Sequence, residues 1–370
     1  MKCMFVTRRI EGGIKTHLKT LVNRLPAHDI TPVICGPREN FEEFEGFEGV
    51  EILDLPLEDG LDFIEDYKNI FKNIFRLKEY INSFSPDLVH SHGYKASLIV
   101  AITKMLVKFP WITTIHNFKP PYQSKKAFEI FVKGVLNKAN KVQPVSYSLK
   151  KELISMGIKA ENCSVLYNGV SLYPFHKPIA KNTSLPDGIK IGCIGRLNED
   201  KGIDDFIYMI KYLHEKYGYY FNLRKYSFLI IGDGPQRKEL QQLSWRLGLA
   251  PKIYFLGQRE DVPEILKSLK LLCIPSKYEG LSITALEAMA AFCPVVATHK
   301  GGLTEIVKHE KTGLLVPSQS PEEMGEGIMT LIRSSKIRRR LTWKGYINVI
   351  ENFTDEKMVK ELVNSYRNLC

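Results

Sequence analysis

Short apolar runs alternate with helical patterns along the whole chain, and this alternation constrains the fold more than any other feature. Residues 2–7 read as a strand, Gly12-Gly13 as a turn and residues 14–25 as a helix. Residues 30–35, 88–90, 111–115 and 142–145 read as further buried strands, followed by polar loops and helical patterns. Strands spaced by helix-length segments predict a parallel sheet. Between residues 171 and 188 the pattern lapses into a stretch with three prolines and no sustained apolar period, which reads as a linker. A second series follows, with strands expected at 189–194, 227–231, 253–256, 271–274 and 295–297. A chain of 370 residues exceeds what one core usually fills. The expected fold is therefore α/β: two doubly wound domains, 1–170 and 189–350, facing one another across a cleft and joined by the linker 171–188. An amphipathic helix within 351–370 is expected to pack back on the first domain.

A composition of 44% hydrophobic and 25% charged residues is that of a soluble globular protein, and no apolar run is long enough to span a membrane. Arg8 and Arg9 follow only a short apolar strand, so no ordinary signal peptide is expected. The seven cysteines show no CxxC spacing, and Cys3, Cys35, Cys193, Cys273 and Cys293 sit in apolar contexts. They read as small core residues in a reducing compartment, which predicts a cytoplasmic protein. The net charge of +11 is unevenly spread: residues 39–66 hold twelve acidic and no basic side chains, whereas 67–160 hold sixteen basic against four acidic. Residues 67–78 and 125–141 alternate lysines or arginines with Phe71, Phe75, Phe128 and Phe131 at helical spacing. Such helices suit an anionic membrane surface; the competing reading is an ordinary helix that buries its aromatics. No zinc-finger, RRM or KH signature is present, so a nucleic-acid partner is not expected.

The chemistry concentrates in the second half. Glu279-Gly280-Leu281-Ser282-Ile283-Thr284-Ala285-Leu286-Glu287 follows a buried strand and sets two carboxylates eight positions apart. With Glu279 in the loop and Glu287 in the helix, both can project into the crevice at the strand's carboxyl end, where open α/β sheets bind ligands. Ionised carboxylates accept several hydrogen bonds, which suits sugar hydroxyls; a solvated surface pair is the plainer alternative. Gly195-Arg196-Leu197-Asn198-Glu199-Asp200-Lys201-Gly202 places two cations beside a helix amino terminus, a setting for phosphate. It is neither a Walker A loop nor a GxGxxG fingerprint, and two exposed charges flanking a loop would read the same. Gly12-Gly13 could bring backbone N–H groups to a phosphate, a weak signal, and Ile231-Gly232-Asp233-Gly234-Pro235 reads as structural. His90, His92 and His116 fall near strand ends, but no cysteine or carboxylate joins them at a standard spacing, so no metal site is expected. His116-Asn117 is better placed to hydrogen-bond a sugar.

In this order, Gly195-Arg196-Leu197 with Lys201-Gly202, the E-x7-E of Glu279 and Glu287, Gly301-Gly302-Leu303-Thr304-Glu305-Ile306-Val307 and Thr312-Gly313-Leu314-Leu315-Val316-Pro317 resemble the retaining glycosyltransferases of family 4, with a two-Rossmann-domain GT-B fold. The resemblance covers nearly the whole chain. It implies that Arg196 and Lys201 hold the donor diphosphate and stabilise charge on the leaving nucleotide. It implies that Glu279 binds hydroxyls of the transferred sugar, that Glu287 accepts from the ribose, and that Leu281 and Ser282 offer backbone N–H groups near the diphosphate. Gly13 would face the phosphates, His116 would contact the sugar, and Gln258 and Arg259 would lie near the nucleobase. No cofactor and no divalent metal are implied, in keeping with the lack of a DxD motif. The donor would be a nucleotide diphosphate sugar, UDP before GDP. The acceptor would be a glycan or lipid-linked oligosaccharide at the inner face of the cytoplasmic membrane, as in capsule, O-antigen or exopolysaccharide assembly. An epimerase or phosphorylase on the same scaffold, and a non-catalytic nucleotide-sugar-binding subunit, are the alternatives. Two positions depart from the family pattern. Phe292 replaces a glycine after the E-x7-E helix, so that helix must end differently or carry strain. Asn117 stands where an acidic residue is common.

Overall fold

The structure, a computed structural model, describes residues 1–370 apart from 9, 11, 45, 48, 58–66, 119–124, 179–183 and 219–224. Arg9, much of the acidic run and residues 179–183 of the expected linker thus lie outside the described residues. The chain divides into two compact units, Met1–Asn168 with Asp355–Cys370, and Gly169–Thr354.

Unit 1 is built on β1 (Lys2–Thr7), β2 (Thr31–Gly36), β3 (Glu51–Asp54), β4 (Leu88–His92), β5 (Trp111–Ile115) and β6 (Lys141–Pro144). They form one sheet in the order β3-β2-β1-β4-β5-β6, and every neighbouring pair is parallel. Phe5 at the centre of β1 lies between Ile34 of β2 and His90 of β4. Helices cover both faces of such a sheet, so central strands bury every residue, as β4 and β5 do here. One face is closed by Leu18, Leu21 and Val22 from the helix Gly13–Arg24 and by Met358, Leu362, Val363 and Tyr366 from the terminal helix Asp355–Arg367. Arg24 clamps the start of that helix, its Nε 2.7 Å from Asp355 Oδ2 and its Nη2 2.9 Å from Oδ1.

Unit 2 repeats the plan. Its strands are β7 (Ile189–Ile194), β8 (Tyr226–Ile231), β9 (Ile253–Gly257), β10 (Leu269–Ile274), β11 (Val295–Thr298) and β12 (Leu314–Val316), in the order β12-β11-β10-β7-β8-β9. Counted from its own first strand, this is the same doubly wound order as unit 1. The strand order reverses beside the first strand in each, between β1 and β4 and between β7 and β10. Residues of the expected linker contribute a short helix, Tyr173–His176. The chain enters unit 2 beside its exit, with Val170 N–H donating to Phe353 O at 2.9 Å.

Two edge strands escape the sequence reading: β3 lies inside the acidic run, and β12 is three residues long. Phe292 resolves its own dilemma by strain. The helix Ile283–Ala290 ends with Phe292 at φ 54, and the exposed phenyl stacks on Tyr346 at 4.0 Å between centroids. Of the two basic segments, only the helix Tyr67–Phe84 presents its aromatics, with Phe71 and Phe75 59% and 56% exposed. In the helix Lys125–Leu136, Phe128 is buried and stacks on Phe118. Among the described residues no helix is long and apolar enough to cross a membrane.

Candidate functional site

In unit 2 the loops that follow β7 and β10 meet at the point where strand order reverses, the crevice that doubly wound sheets use for ligands. Backbone bonds lace them together: Lys277 N–H and Tyr278 N–H both donate to Asp200 O, at 2.7 and 3.2 Å. Gly202 makes the approach possible, since at φ 62 a Cβ there would stand 2.2 Å from Pro275 O. Gly202 also caps the helix Ile203–Tyr217, so Lys201 is delivered at a helix amino terminus.

Lys201 Nζ lies 2.6 Å from Glu279 Oε2, and Ser276 Oγ donates to the same oxygen at 3.0 Å. The Glu279 side chain is 9% exposed and that of Lys201 29%. At that burial the ion pair is largely desolvated, and removing either partner strands a charge. Glu279 Oε1 has no protein partner among the described residues, so it is free to accept from a ligand hydroxyl. The Glu279 backbone is held from the other side: Gly302 N–H donates to Glu279 O at 3.1 Å. Gly301, at φ 48, lies so close that a Cβ would be 2.0 Å from Glu279 O. The Gly301-Gly302 pair is therefore a clamp on the Glu279 loop.

Ser282 caps the helix Ile283–Ala290, its hydroxyl accepting from Ala285 N–H at 3.3 Å. Leu281 and Ser282 are both buried. One turn further on, Glu287 is half-buried, and desolvation pushes its carboxyl up to about 7. No side chain among the described residues pairs with it. Arg196 is exposed, on the loop directly after β7. Gln258 is exposed just past β9, while Arg259 is already engaged, with Nε and Nη2 each 2.7 Å from the Asp261 carboxylate. Asp205, in the first turn of the helix that follows Lys201, carries an unpaired, buried Oδ2, and burial raises its carboxyl to about 6. It is not among the residues singled out from the sequence.

Unit 1 holds the remaining candidates. Gly13 opens the helix after β1, and His116 follows β5, buried at 8% exposure. His116 is not an isolated floor residue. Its Nε2 is 3.1 Å from His92 Nδ1, the two rings stack, and His17 meets His116 edge-on at 4.9 Å. His90, grouped with these two in the sequence, is instead satisfied by Tyr366 Oη at 2.5 Å and Thr114 Oγ1 at 2.8 Å. His17 was invisible as a candidate because one histidine on an amphipathic helix reads as core. Neither of its ring nitrogens makes a hydrogen bond, and His92 Nε2 lacks one too. A buried orphan of this kind costs roughly 1–3 kcal/mol. Burial lowers His17 to about 4 and holds His92 and His116 well below the usual imidazole range. All are neutral at physiological pH.

Two parallel Rossmann-like domains, the second with a cation and carboxylate at its strand reversal, define a GT-B enzyme. Comparison with known proteins agrees. Residues 11–173 match the family described as Glycosyltransferase Family 4, and 176–348 match Glycosyl transferases group 1. The chain belongs to glycosyltransferase family 4 and is a nucleotide-sugar-dependent glycosyltransferase of hexosyltransferase type. It is 26% identical over 379 residues to the uncharacterized glycosyltransferase MJ1607 of Methanocaldococcus jannaschii, covering 97% of this chain and 95% of that one. It is likewise 26% identical to the O-antigen biosynthesis glycosyltransferase WclY of Escherichia coli, over 90% and 95% of the two chains. Anabaena HepE in complex with UDP and glucose superposes with a TM-score of 0.83 at 21% identity, over 100% of both chains.

Proposed function

We propose that this enzyme moves a sugar from a nucleotide diphosphate sugar, UDP before GDP, to a glycan or lipid-linked oligosaccharide hydroxyl, with retention of anomeric configuration and without a metal at the diphosphate. The Lys201–Glu279–Ser276 constellation at the β7/β10 reversal carries the reading. Lys201 and Arg196 take the place of a divalent ion on the diphosphate, where negative charge grows as the bond from the anomeric carbon to the leaving oxygen breaks. The N–H groups at Leu281 and Ser282, ahead of a helix, are oriented for the same anion. Glu279 Oε1 accepts from a sugar hydroxyl, and Glu287 accepts from the ribose. Gln258 lies near the nucleobase; Arg259 can join it only by sharing or leaving Asp261. Gly13 and His116 are the candidate phosphate and sugar contacts in unit 1.

The leaving group is already a good one, so no carboxylic acid needs to protonate it, and Glu279 serves to bind and orient. The departing diphosphate oxygen takes the acceptor's proton while the hydroxyl attacks from the same face, which conserves the anomeric configuration. A role in surface polysaccharide assembly is supported by the likeness to WclY. The exposed Phe71 and Phe75 on a lysine-bearing helix support contact with an anionic cytoplasmic membrane face. A UDP donor gains support from HepE, whose complex holds UDP and glucose.

The test is a panel of nucleotide sugars screened for thermal protection, followed by transfer to a lipid-linked acceptor in chelator, with the product's anomeric configuration read by NMR. Retained configuration and turnover without added Mg²⁺ or Mn²⁺ are expected. An inverted product, or activity that appears only on adding Mg²⁺ or Mn²⁺, overturns the reading.

A further inference from the structure

The cluster of buried imidazoles in unit 1 has more structure than a sugar contact needs. His17 comes from the helix after β1, His92 from the end of β4 and His116 from just past β5, so three separate elements converge at the strand reversal of this sheet. One ring nitrogen of each lies within 4.8 Å of the other two. His92 Nδ1 and His116 Nε2 already stand 3.1 Å apart. Two nitrogens on one tetrahedral zinc at about 2.0–2.1 Å would be separated by about 3.3 Å. His17 is 1% exposed, and both its ring nitrogens lack partners. Asn168 adjoins His17 and its Oδ1 is also unpaired, although it makes no well-formed bond to the ring as placed. That is the position of an outer acceptor that would fix the tautomer of a metal-bound imidazole.

We propose that His17, His92 and His116 bind a divalent transition-metal ion of the zinc class, with the fourth coordination position left for water. Neutral imidazole is the liganding form. A set of three nitrogens with no thiolate and no carboxylate selects zinc, cobalt or nickel over magnesium and calcium. The ion would be held by unit 1 alone. It would lock three rings that otherwise leave nitrogens unpaired, and would turn His116 Nδ1 into a fixed donor. The proposal stands whether or not the reading of donor and acceptor above is right.

The test uses the untagged full chain, stripped with chelator and titrated with Co²⁺ and then Zn²⁺. One equivalent of cobalt should bind with the intense visible bands of a tetrahedral nitrogen-ligated site, and zinc should bleach them. Zinc should also raise the melting temperature. His17→Phe keeps the ring volume and should abolish both effects. The control His214→Phe, on an exposed helix surface, should retain them. If His17→Phe does not fold, His17→Gln serves in its place, since it offers no imidazole. No stoichiometric cobalt binding, a weak octahedral spectrum, or tetrahedral bands that survive loss of the His17 imidazole would each overturn the assignment.

Discussion

Replacing Glu287 with glutamine tests the donor site and the electrostatics behind it together. Its carboxyl is pushed from an ordinary 4.5 to about 7 by desolvation, with no cation beside it. A folded state that holds its proton more tightly than the unfolded chain is most stable, relative to that chain, below pH 4.5. The advantage is lost as pH rises from 4.5 to about 7, and stability is level above that. At about 1.4 kcal/mol per pH unit, the ionised carboxylate costs the folded protein up to about 3 kcal/mol at pH 8. Residual contact with solvent trims this to about 1–3 kcal/mol. Glu287→Gln is nearly isosteric and never ionises, so it should be more stable than the parent at pH 8 and indistinguishable from it at pH 4.5. Binding should report the opposite. Ribose hydroxyls that donate to Glu287 favour the ionised form, so binding of an intact UDP-sugar, whose esterified diphosphate does not titrate near pH 6.5, should release protons at that pH. Calorimetric enthalpies measured in phosphate and in imidazole buffer would then differ, and in the variant they would coincide. A variant no more stable than the parent at pH 8 would refute the desolvated setting. Enthalpies independent of buffer in the parent would refute the ribose contact.

Lys201→Met leaves Glu279 buried with only Ser276 to pair with; UDP affinity should fall at least about tenfold by calorimetry, and restoring it with added Mg²⁺ would argue for a metal-dependent donor site. Gly301→Ala forces a methyl to within 2.0 Å of Glu279 O at positive φ, so unit 2 should lose at least about 2 kcal/mol by urea melt and donor binding should weaken with it. Phe292→Gly relieves a left-handed residue worth about 1–2 kcal/mol but loses stacking worth about 0.5–1.5 kcal/mol. The two should cancel to within about 1 kcal/mol, and a larger loss would mean that the aromatic stack is the stronger effect. Phe71→Ser with Phe75→Ser should weaken sedimentation with phosphatidylserine vesicles and leave melting temperature unchanged, because both rings are exposed.

The fold was legible wherever a strand is buried on both faces. β1, β5 and β7 are rich in apolar and β-branched residues, and their limits agree with those expected from the sequence. The edge strands β6 and β9 were also legible, but β3 and β12 were not: β3 offers only Ile52 and Leu53 between acidic residues, and β12 spans three residues. The candidate site in unit 2 was legible as a pattern because its residues are local in sequence, with a cation before a helix and a glutamate after a strand. The Lys201–Glu279 pair itself was not, since it joins residues 78 positions apart through a crossing that Gly202 alone permits. The histidine cluster was half legible. His90 and His92 are two apart on β4, so they share a face and their rings stack at 4.4 Å. Proximity grouped both with His116, but Tyr366 and Thr114 take up both nitrogens of His90. The third partner comes from a different helix, at a spacing no linear pattern encodes.

Both sheets reverse their strand order beside their first strand, yet the chemistry gathered at the two places differs in kind. At β7/β10 the groups are charged: Lys201, Glu279 and the exposed Arg196. At β1/β4 they are neutral imidazoles, because burial holds His17, His92 and His116 below the range in which they would protonate near pH 7. In the reading proposed above, metal-free neutral rings do not offset a diphosphate, so its charge would fall to Lys201 and Arg196. His116 would then act by hydrogen bonding and not by charge. In a metal-free Glu287→Gln background, which removes the carboxyl that titrates near 7, affinity for an intact UDP-sugar, whose esterified diphosphate has no proton to lose in this range, should be flat between pH 6 and 8 with His116 present. A limb near pH 6.5 that disappears with His116→Gln would show a protonated imidazole on the phosphates, and the division of charge between the two sheets would then be wrong.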